Sequence, residues 1–285
     1  MKRIGIVMKA SEEQARLLGE KITSFVRNSG HEVILETDCA DLAEKWKVKA
    51  SDSISDDADF LVVLGGDGTI LYAASMLKQK SIPVLGVNLG RVGYMAEIHP
   101  HEAIDELKSV LNGSQVVVKR MMLNVTLPDG TSQLALNEAV IHWGGVARLI
   151  DLGVKVGDAK QIEIRADGLI VATPIGSSAY SYAANGPLVH PEIEAIILTP
   201  ICPFAGLVRP LVIPAEMDIE IVVDRGEDIT LTMDGRKSVH LEIGQSLRIS
   251  RAELPFVMVA SRSRDYFQVL KEKLGFLQGG SCNSV

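Results

Sequence analysis

The sequence predicts two architectures in succession: a doubly wound α/β half, then an all-β half. Three observations carry that expectation. Apolar runs and helix-period segments alternate from residue 3 to residue 113, as in a parallel sheet flanked by helices. The run 59–64 (DFLVVL) is continuously apolar after its first residue, as a strand covered on both faces must be. After Gly113 the helical period fades, and short alternating or apolar segments recur between turn residues.

Taken in order, residues 3–8 (RIGIVM) read as a buried strand. Over 11–28, Ala15, Leu18, Ile22 and Phe25 share one helical face, with Ser11 as the expected N-cap and Gly30 as the stop. Residues 32–36 (EVILE) give a second strand, and 40–47 a short helix. Strand 59–64 passes through glycines into a helix over 68–79. Strand 83–87 (PVLGV) follows, then an amphipathic helix over 101–112 closed by Asn112 and Gly113. Strands are next expected at 116–127, 132–142, 149–156 and 160–165, divided by Pro128-Asp129-Gly130, Gly144-Gly145 and Gly157-Asp158. Further strands are expected at 168–173, 195–199, 218–223, 228–233, 246–250 and 256–259, before a closing helix at 264–275. The expected domains are 1–115, 116–255 and a C-terminal segment 256–285 ending in a loose tail from Gly279.

Composition narrows the function classes. The chain has 285 residues, 47% hydrophobic and 23% charged, enough for one large or two medium domains. A net charge of −7 gives no electrostatic pull toward nucleic acid or an anionic membrane, so neither is an expected partner. Cys39, Cys202 and Cys282 are odd in number, far apart and without a CxxC, which speaks against a disulfide framework or a structural zinc site. The opening MKRIGIVMKA reads as a strand and not a signal peptide, and no apolar run approaches the ~18 residues of a membrane span. A cytoplasmic location is the expectation.

Four stretches carry chemistry. Gly65-Gly66-Asp67-Gly68-Thr69 follows the carboxyl end of a buried strand and opens a helix, where backbone N–H groups and the helix dipole favour an anion. It lacks the GKS or GKT of a Walker loop and the G-x-G-x-x-G of a dinucleotide fingerprint. A tight turn with an Asp N-cap would also fit. Asn88-Leu89-Gly90-Arg91-Val92-Gly93-Tyr94 places two glycines three apart after the next strand, which lets backbone come close to a ligand or to the first loop. Asn137-Glu138 interrupts an apolar strand with a polar pair, unless that strand lies at an edge facing water. Residues 167–189 (DGLIVATPIGSSAYSYAANGPLV) end a strand in small hydroxyl residues, glycine and one aromatic face, a set suited to a nucleotide. His99-Pro100-His101 has no further ligand at metal-site spacing, so no metal-ligating residue is assigned.

The first stretch is similar to the GGDGT or GGDGS loop shared by NAD kinases, lipid kinases and phosphofructokinases. The whole ordered set resembles the NAD kinase family: GGDGT, N-x-G-x-x-G-Tyr, L-N-E, D-G-L-I-V-A-T-P-x-G-S-x-A-Y-S, P-L-V-I-P at 210–214, then Asp234-Gly235. It spans Ile4 to about Phe276. The resemblance implies a Rossmann-like N-terminal domain, a β-sandwich-like C-terminal domain, an active site between them and a final helix returning to the first domain. It implies phosphoryl transfer from ATP or polyphosphate to the 2′-hydroxyl of the adenosine ribose of NAD. It also implies a divalent metal, Mg²⁺, arriving with the nucleotide, and a homo-oligomer, dimer or tetramer.

Carried onto this chain, the resemblance makes Asp67 the general base. It gives phosphate to Gly65, Gly66, Gly68 and Thr69, with Gly68 also contacting NAD through its backbone. Asn137 and Glu138 would hold the ribose or adenine, Arg148 and Arg165 would approach the phosphates, and Asp167 would cap the far side. Ser178, Ala179, Tyr180, Ser181 and Ala183 would line the NAD groove, with Arg236 beside the late Asp-Gly. The chain departs from the family at Ile175, where many members have Thr, and at Phe204, where a His is frequent. The alternatives are a lipid or sugar kinase built on the same loop, or a non-catalytic dinucleotide sensor. No basic amphipathic helix favours the lipid reading, and a sensor has no use for Asp67.

Overall fold

Strand and helix alternate through the first third of the chain, and the strands pair in parallel. The structure is a computed structural model that describes residues 1–77, 80–90, 93–145, 149–204, 209–262 and 264–274. Two units emerge: residues 1–118 with the segment from Val257 onward, and residues 119–256.

The first unit contains β1 (Arg3–Met8), α1 (Glu13–Asn28), β2 (Glu32–Glu36), α2 (Ala40–Trp46), β3 (Lys49–Ser51) and α3 (Ile54–Asp57). It continues with β4 (Phe60–Gly65), α4 (Asp67–Met76), β5 (Val84–Asn88) and α5 (Ala103–Asn112), and β6 (Val117–Arg120) crosses the boundary into the second unit. The sheet order is β3-β2-β1-β4-β5, with β19 (Phe256–Val259) and β6 added beyond β5. The chain reverses its direction of sheet growth between β1 and β4, the switch point where open α/β sheets bind ligands at the carboxyl ends of strands. β4 is buried at all six positions, which explains its unbroken apolar run. In α1, Ala15, Gly19, Ile22, Thr23 and Val26 are buried at helical spacing. The helix begins at Glu13, with Glu12 at the N-cap position. Ser11 therefore does not cap it; that residue sits in a turn closed by the Glu12 N–H on Lys9 O at 3.0 Å. Gly113 ends α5 in the left-handed conformation, φ 73°.

The second unit contains β7 (Leu123–Thr126), β8 (Ser132–Ala135), β9 (Glu138–Trp143), β10 (Ile150–Val156), β11 (Ile162–Ala166) and β12 (Gly168–Ala172). After the short α6 (Tyr180–Ala183) come β13 (Ala195–Ile201), β14 (Leu211–Pro214), β15 (Ile219–Arg225), β16 (Ile229–Met233), β17 (Lys237–Leu241) and β18 (Ser246–Arg251). Two antiparallel sheets form, ordered β11-β10-β15-β18-β7-β8 and β14-β13-β12-β9-β16-β17. Their facing sides share one core that includes Leu152, Val154, Ile221 and Ile249 from the first sheet, and Ile141, Leu169, Val171 and Leu231 from the second. The outer face of the second sheet is covered too: Val140, Ile170, Ala172 and Ile197 pack with Val189.

Two expected strands prove to be pairs. The stretch 116–127 divides into β6, in the parallel sheet, and β7, in an antiparallel one. The stretch 132–142 divides into β8 and β9, in opposite sheets of the sandwich. Alternation of apolar residues reports a pleated, half-buried surface, but it does not report which sheet supplies the partner. The closing helix is α7 (Tyr266–Leu274), which belongs to the first unit. Arg264, just before it, donates to His99 Nε2 at 2.6 Å, and Val269 and Leu270 are buried. Among the described residues, no helix is long and apolar enough to cross a membrane.

Candidate active site

The first unit builds its site around Asp67. β4 delivers the chain to Gly65, and α4 starts at Asp67 with Gly66 in the N-cap position. The Asp67 carboxylate does not cap its own helix. It reaches to the segment after β5, where Oδ2 accepts the Tyr94 N–H at 2.9 Å and Oδ1 accepts those of Met95 and Ala96 at 3.0 and 3.2 Å. This close approach requires glycine at position 93, because a Cβ there would stand 2.0 Å from Oδ1. The glycine loop and the N-x-G-x-x-G-Tyr stretch are thus one construction. The Asp67 side chain remains 26% exposed. Within the loop, Thr69 is buried with its Oγ1 against Gly65, whereas Gly66 and Gly68 are exposed with open space beside them.

The second unit brings the other three motifs together. Glu138 opens β9, an interior strand between β12 and β16, and Asn137 immediately precedes it; they are only 7% and 8% exposed. They are not an edge pair facing water. Asp234, at φ 50° in the β16–β17 turn, anchors them: Oδ2 accepts the Leu136 N–H at 2.8 Å, and Oδ1 accepts those of Asn137 and Glu138 at 2.7 and 3.1 Å. From the other side, Thr173 donates its hydroxyl to Leu136 O at 2.6 Å, and the Thr173 N–H bonds Asn137 O at 2.8 Å. Gly176 lies so close that a Cβ would meet Asn137 O at 2.1 Å.

Two carboxyl groups, Glu138 buried and Asp234 partly buried, therefore share one locality. Burial pushes Glu138 up to about 8, the charge of Asp234 adds to the rise, and a hydrogen bond from the Tyr180 N–H opposes it. Asp234 is also raised by burial, against its three backbone N–H bonds and the charge of Arg236. Glu138 Oε2 is buried and has no hydrogen-bond partner among the described residues. An acceptor so placed suits a ligand hydroxyl.

The remaining expected residues are distributed as follows. Tyr180 is 46% exposed and Ala183 is exposed, while Ser178 bonds back to Ile175 O at 3.0 Å. Ser181 is fully buried, its hydroxyl 2.9 Å from that of Thr199, so it supports the turn from beneath. Arg165 is exposed, 3.4 Å from Asp151 Oδ1, with its guanidinium 5.0 Å from the centre of the Phe204 ring. Arg236 is exposed beside the Asp-Gly turn, and Asp167 is partly buried at the start of β12, its N–H on Ile201 O. Arg148 lies outside the described residues, as does Cys282. Cys39 and Cys202 are free thiols. Among the described residues, no group of three or more His, Cys, Asp or Glu is arranged to hold a metal. His99 and His101 stack on one another at 5.3 Å.

Sequence reasoning missed two contributors. Asp234 was visible only as half of an Asp-Gly turn, and that turn was the available signal. Gly93, expected from its spacing to let backbone approach a ligand or the first loop, does approach that loop, at Asp67. Lys273 of α7, whose Nζ lies 4.0 Å from Asp67 Oδ2, is separated from the loop by 206 positions and gave no signal.

A GGDGT loop at the switch point of a parallel sheet, in a chain that also carries a sandwich with a buried carboxyl cradle, defines a two-unit kinase of the GGDGT class. Residues 4–115 match the profile of the ATP-NAD kinase N-terminal domain, and residues 136–261 that of the ATP-NAD kinase C-terminal domain. The NAD kinase of Geotalea daltonii is 38% identical over 279 residues, covering 96% of this chain and 98% of that one. The NAD kinase of Methanothermobacter thermautotrophicus is 35% identical over 283 residues, covering 98% of each. Among solved structures, yeast NADH kinase complexed with NADH aligns at TM-score 0.89 and 26% identity, over all of this chain and 90% of that one. An NAD kinase from Archaeoglobus fulgidus in complex with ATP aligns at TM-score 0.77 and 30% identity, over 95% and 99%. The chain belongs to the NAD kinase family.

Proposed function

We propose that this protein transfers the terminal phosphoryl group of ATP to the 2′-hydroxyl of the adenosine ribose of NAD, giving NADP. The observation that carries the reading is the Asn137–Glu138 pair, buried at the start of an interior strand, with Glu138 Oε2 unpartnered among the described residues. A carboxyl group there accepts from a ribose diol, and Asn137 adds a donor and an acceptor. Asp67 serves as general base. Its Oδ1 already accepts two N–H groups and its Oδ2 one, which leaves Oδ2 the better placed to take a hydroxyl proton. Such help is worth roughly 10²–10⁴ in rate, about 3–5 kcal/mol. Gly66 and Gly68 give phosphate oxygens access to backbone, while Gly65 and Thr69 shape the loop.

Ser178, Ala179, Tyr180 and Ala183 line the dinucleotide groove in this reading, with Ser181 beneath. Arg148, Arg165 and Arg236 offer positive charge to its phosphates, and Asp167 caps its far side. Mg²⁺ travels with the nucleotide and offsets the charge of its phosphates. A homo-oligomer, cytoplasmic location and the functional division 1–115, 116–255 and 256–285 belong to the same proposal. The test supplies purified protein with NAD, Mg²⁺ and either ATP or polyphosphate, and reads NADP with an NADP-specific dehydrogenase. NADP in the ATP tube is the expected result. Its absence from both tubes, with folded protein, overturns the reading.

A further inference from the structure

We propose that Lys273 is a further catalytic residue, supplying from the final helix the positive charge that the GGDGT loop lacks. This inference rests on the reading of Asp67 as the base in NAD phosphorylation. Lys273 stands in the last turn of α7, four and three residues beyond the buried Val269 and Leu270. The residue is exposed, and its side chain reaches the glycine loop, with Nζ 4.0 Å from Asp67 Oδ2 and 5.6 Å from the centre of the Tyr94 ring.

The contacts close a triangle, because the Tyr94 N–H bonds the same Oδ2 at 2.9 Å. The helix that delivers Lys273 is itself fixed. Asp265 and Gln268 form a capping box at its start, the Gln268 N–H on Asp265 Oδ1 at 2.9 Å and the Asp265 N–H on Gln268 Oε1 at 3.1 Å. Arg264 adds its bond to His99 and lies 3.7 Å from Glu272. Lys273 keeps 30% of its side chain exposed, so the cation is accessible to a ligand.

The chemistry explains the need. The 2′-oxygen forms a bond to the γ-phosphorus while the bond from that phosphorus to the β–γ bridging oxygen breaks, its electron pair leaving with ADP. The hydroxyl proton passes to Asp67. Before that transfer, negative phosphoryl oxygens must approach the Asp67 carboxylate, and a cation beside it stabilises the transition state. Lys273 is placed to bridge Asp67 Oδ2 and an equatorial phosphoryl oxygen.

The experiment measures steady-state NADP formation and NAD affinity for wild type, K273M, K273R, K273A and D67N, with K271M as a control of equal charge change elsewhere on α7. K273M is expected to lose 10- to 100-fold in kcat with NAD affinity within about twofold, K273R to recover most of it, and K271M to match wild type. Ethylammonium is expected to raise the kcat of K273A in a saturable manner, which a purely structural lysine would not allow. This rescue also decides the case should K273M fail to fold. An active wild type with K273M kcat within twofold, or with K273A unrescued, overturns the inference and leaves the NAD kinase reading standing. A wild type that forms no NADP overturns both.

Discussion

Asp67 answers two demands with one carboxylate. Its three backbone N–H bonds hold the segment 94–96 against the start of α4, and its remaining exposure leaves an oxygen for substrate. Asp67→Asn keeps one carbonyl acceptor and, on the proposed role, loses the general base, so kcat should fall 10²-fold or more while NAD affinity stays within a few-fold; titration of NAD beside steady-state kinetics checks this. Equal loss of both would make Asp67 an anchor alone. Gly93→Ala tests the anchor directly. Its methyl would need the space of Asp67 Oδ1, so the loop must move, and a drop in kcat with a lowered Tm is expected. At Glu138, hydroxyl donors favour the carboxylate form, and the group must release its proton near pH 8 to accept them. NAD affinity should therefore rise as pH increases through about 8 in wild type, and Glu138→Gln should remove that dependence in binding titrations.

At the scale of elements, short side-chain clamps do work that ladders do not. The N–H groups of Leu136, Asn137 and Glu138 bond the Asp234 carboxylate where β8 gives way to β9. A polar pair is thereby held at the start of an interior strand, a position where unpaired groups would be costly. At the other end of the chain, the capping box of α7 sets the helix whose last turn carries Lys273. Removing it with Asp265→Ala and Gln268→Ala should cost about 1 kcal/mol. Amides of α7 should then exchange about fivefold faster, while those of β4 remain at wild-type rates.

For the molecule as a whole, the raised carboxyl pair of Glu138 and Asp234 gives stability a direction with pH. Glu138 is raised to about 8 from its ordinary 4.5, so the folded state holds that proton more tightly than the unfolded one. Its contribution is complete below about pH 4.5 and is lost as pH rises through about 8, amounting to at most about 5 kcal/mol. Asp234 acts in the same sense. Denaturant midpoints measured from pH 5 to pH 9 should fall, and Glu138→Gln should flatten the fall. Ligand hydroxyls that pair with Glu138 should restore stability at the alkaline end.

Local pattern was enough for β1, α1, β2, α2, β4, α4, β5 and α5 of the first unit, though not for the short β3 and α3; it was enough also for the all-β character of the second unit and for the motifs that mark the family. Buried runs, helical spacing and glycine turns are written in neighbouring residues, and each acts over a few positions. Ser11, by contrast, read as a cap from its position alone, yet the turn at Lys9–Glu12 decided otherwise. Sheet membership of β6 and β7, or of β8 and β9, depended on partners far away in sequence. So did the pairing of Asp234 with 136–138, of Gly93 with Asp67 and of Lys273 with Asp67. These are contacts between residues with no periodic relation, and their energy exists only when folding has brought the two ends of the contact together.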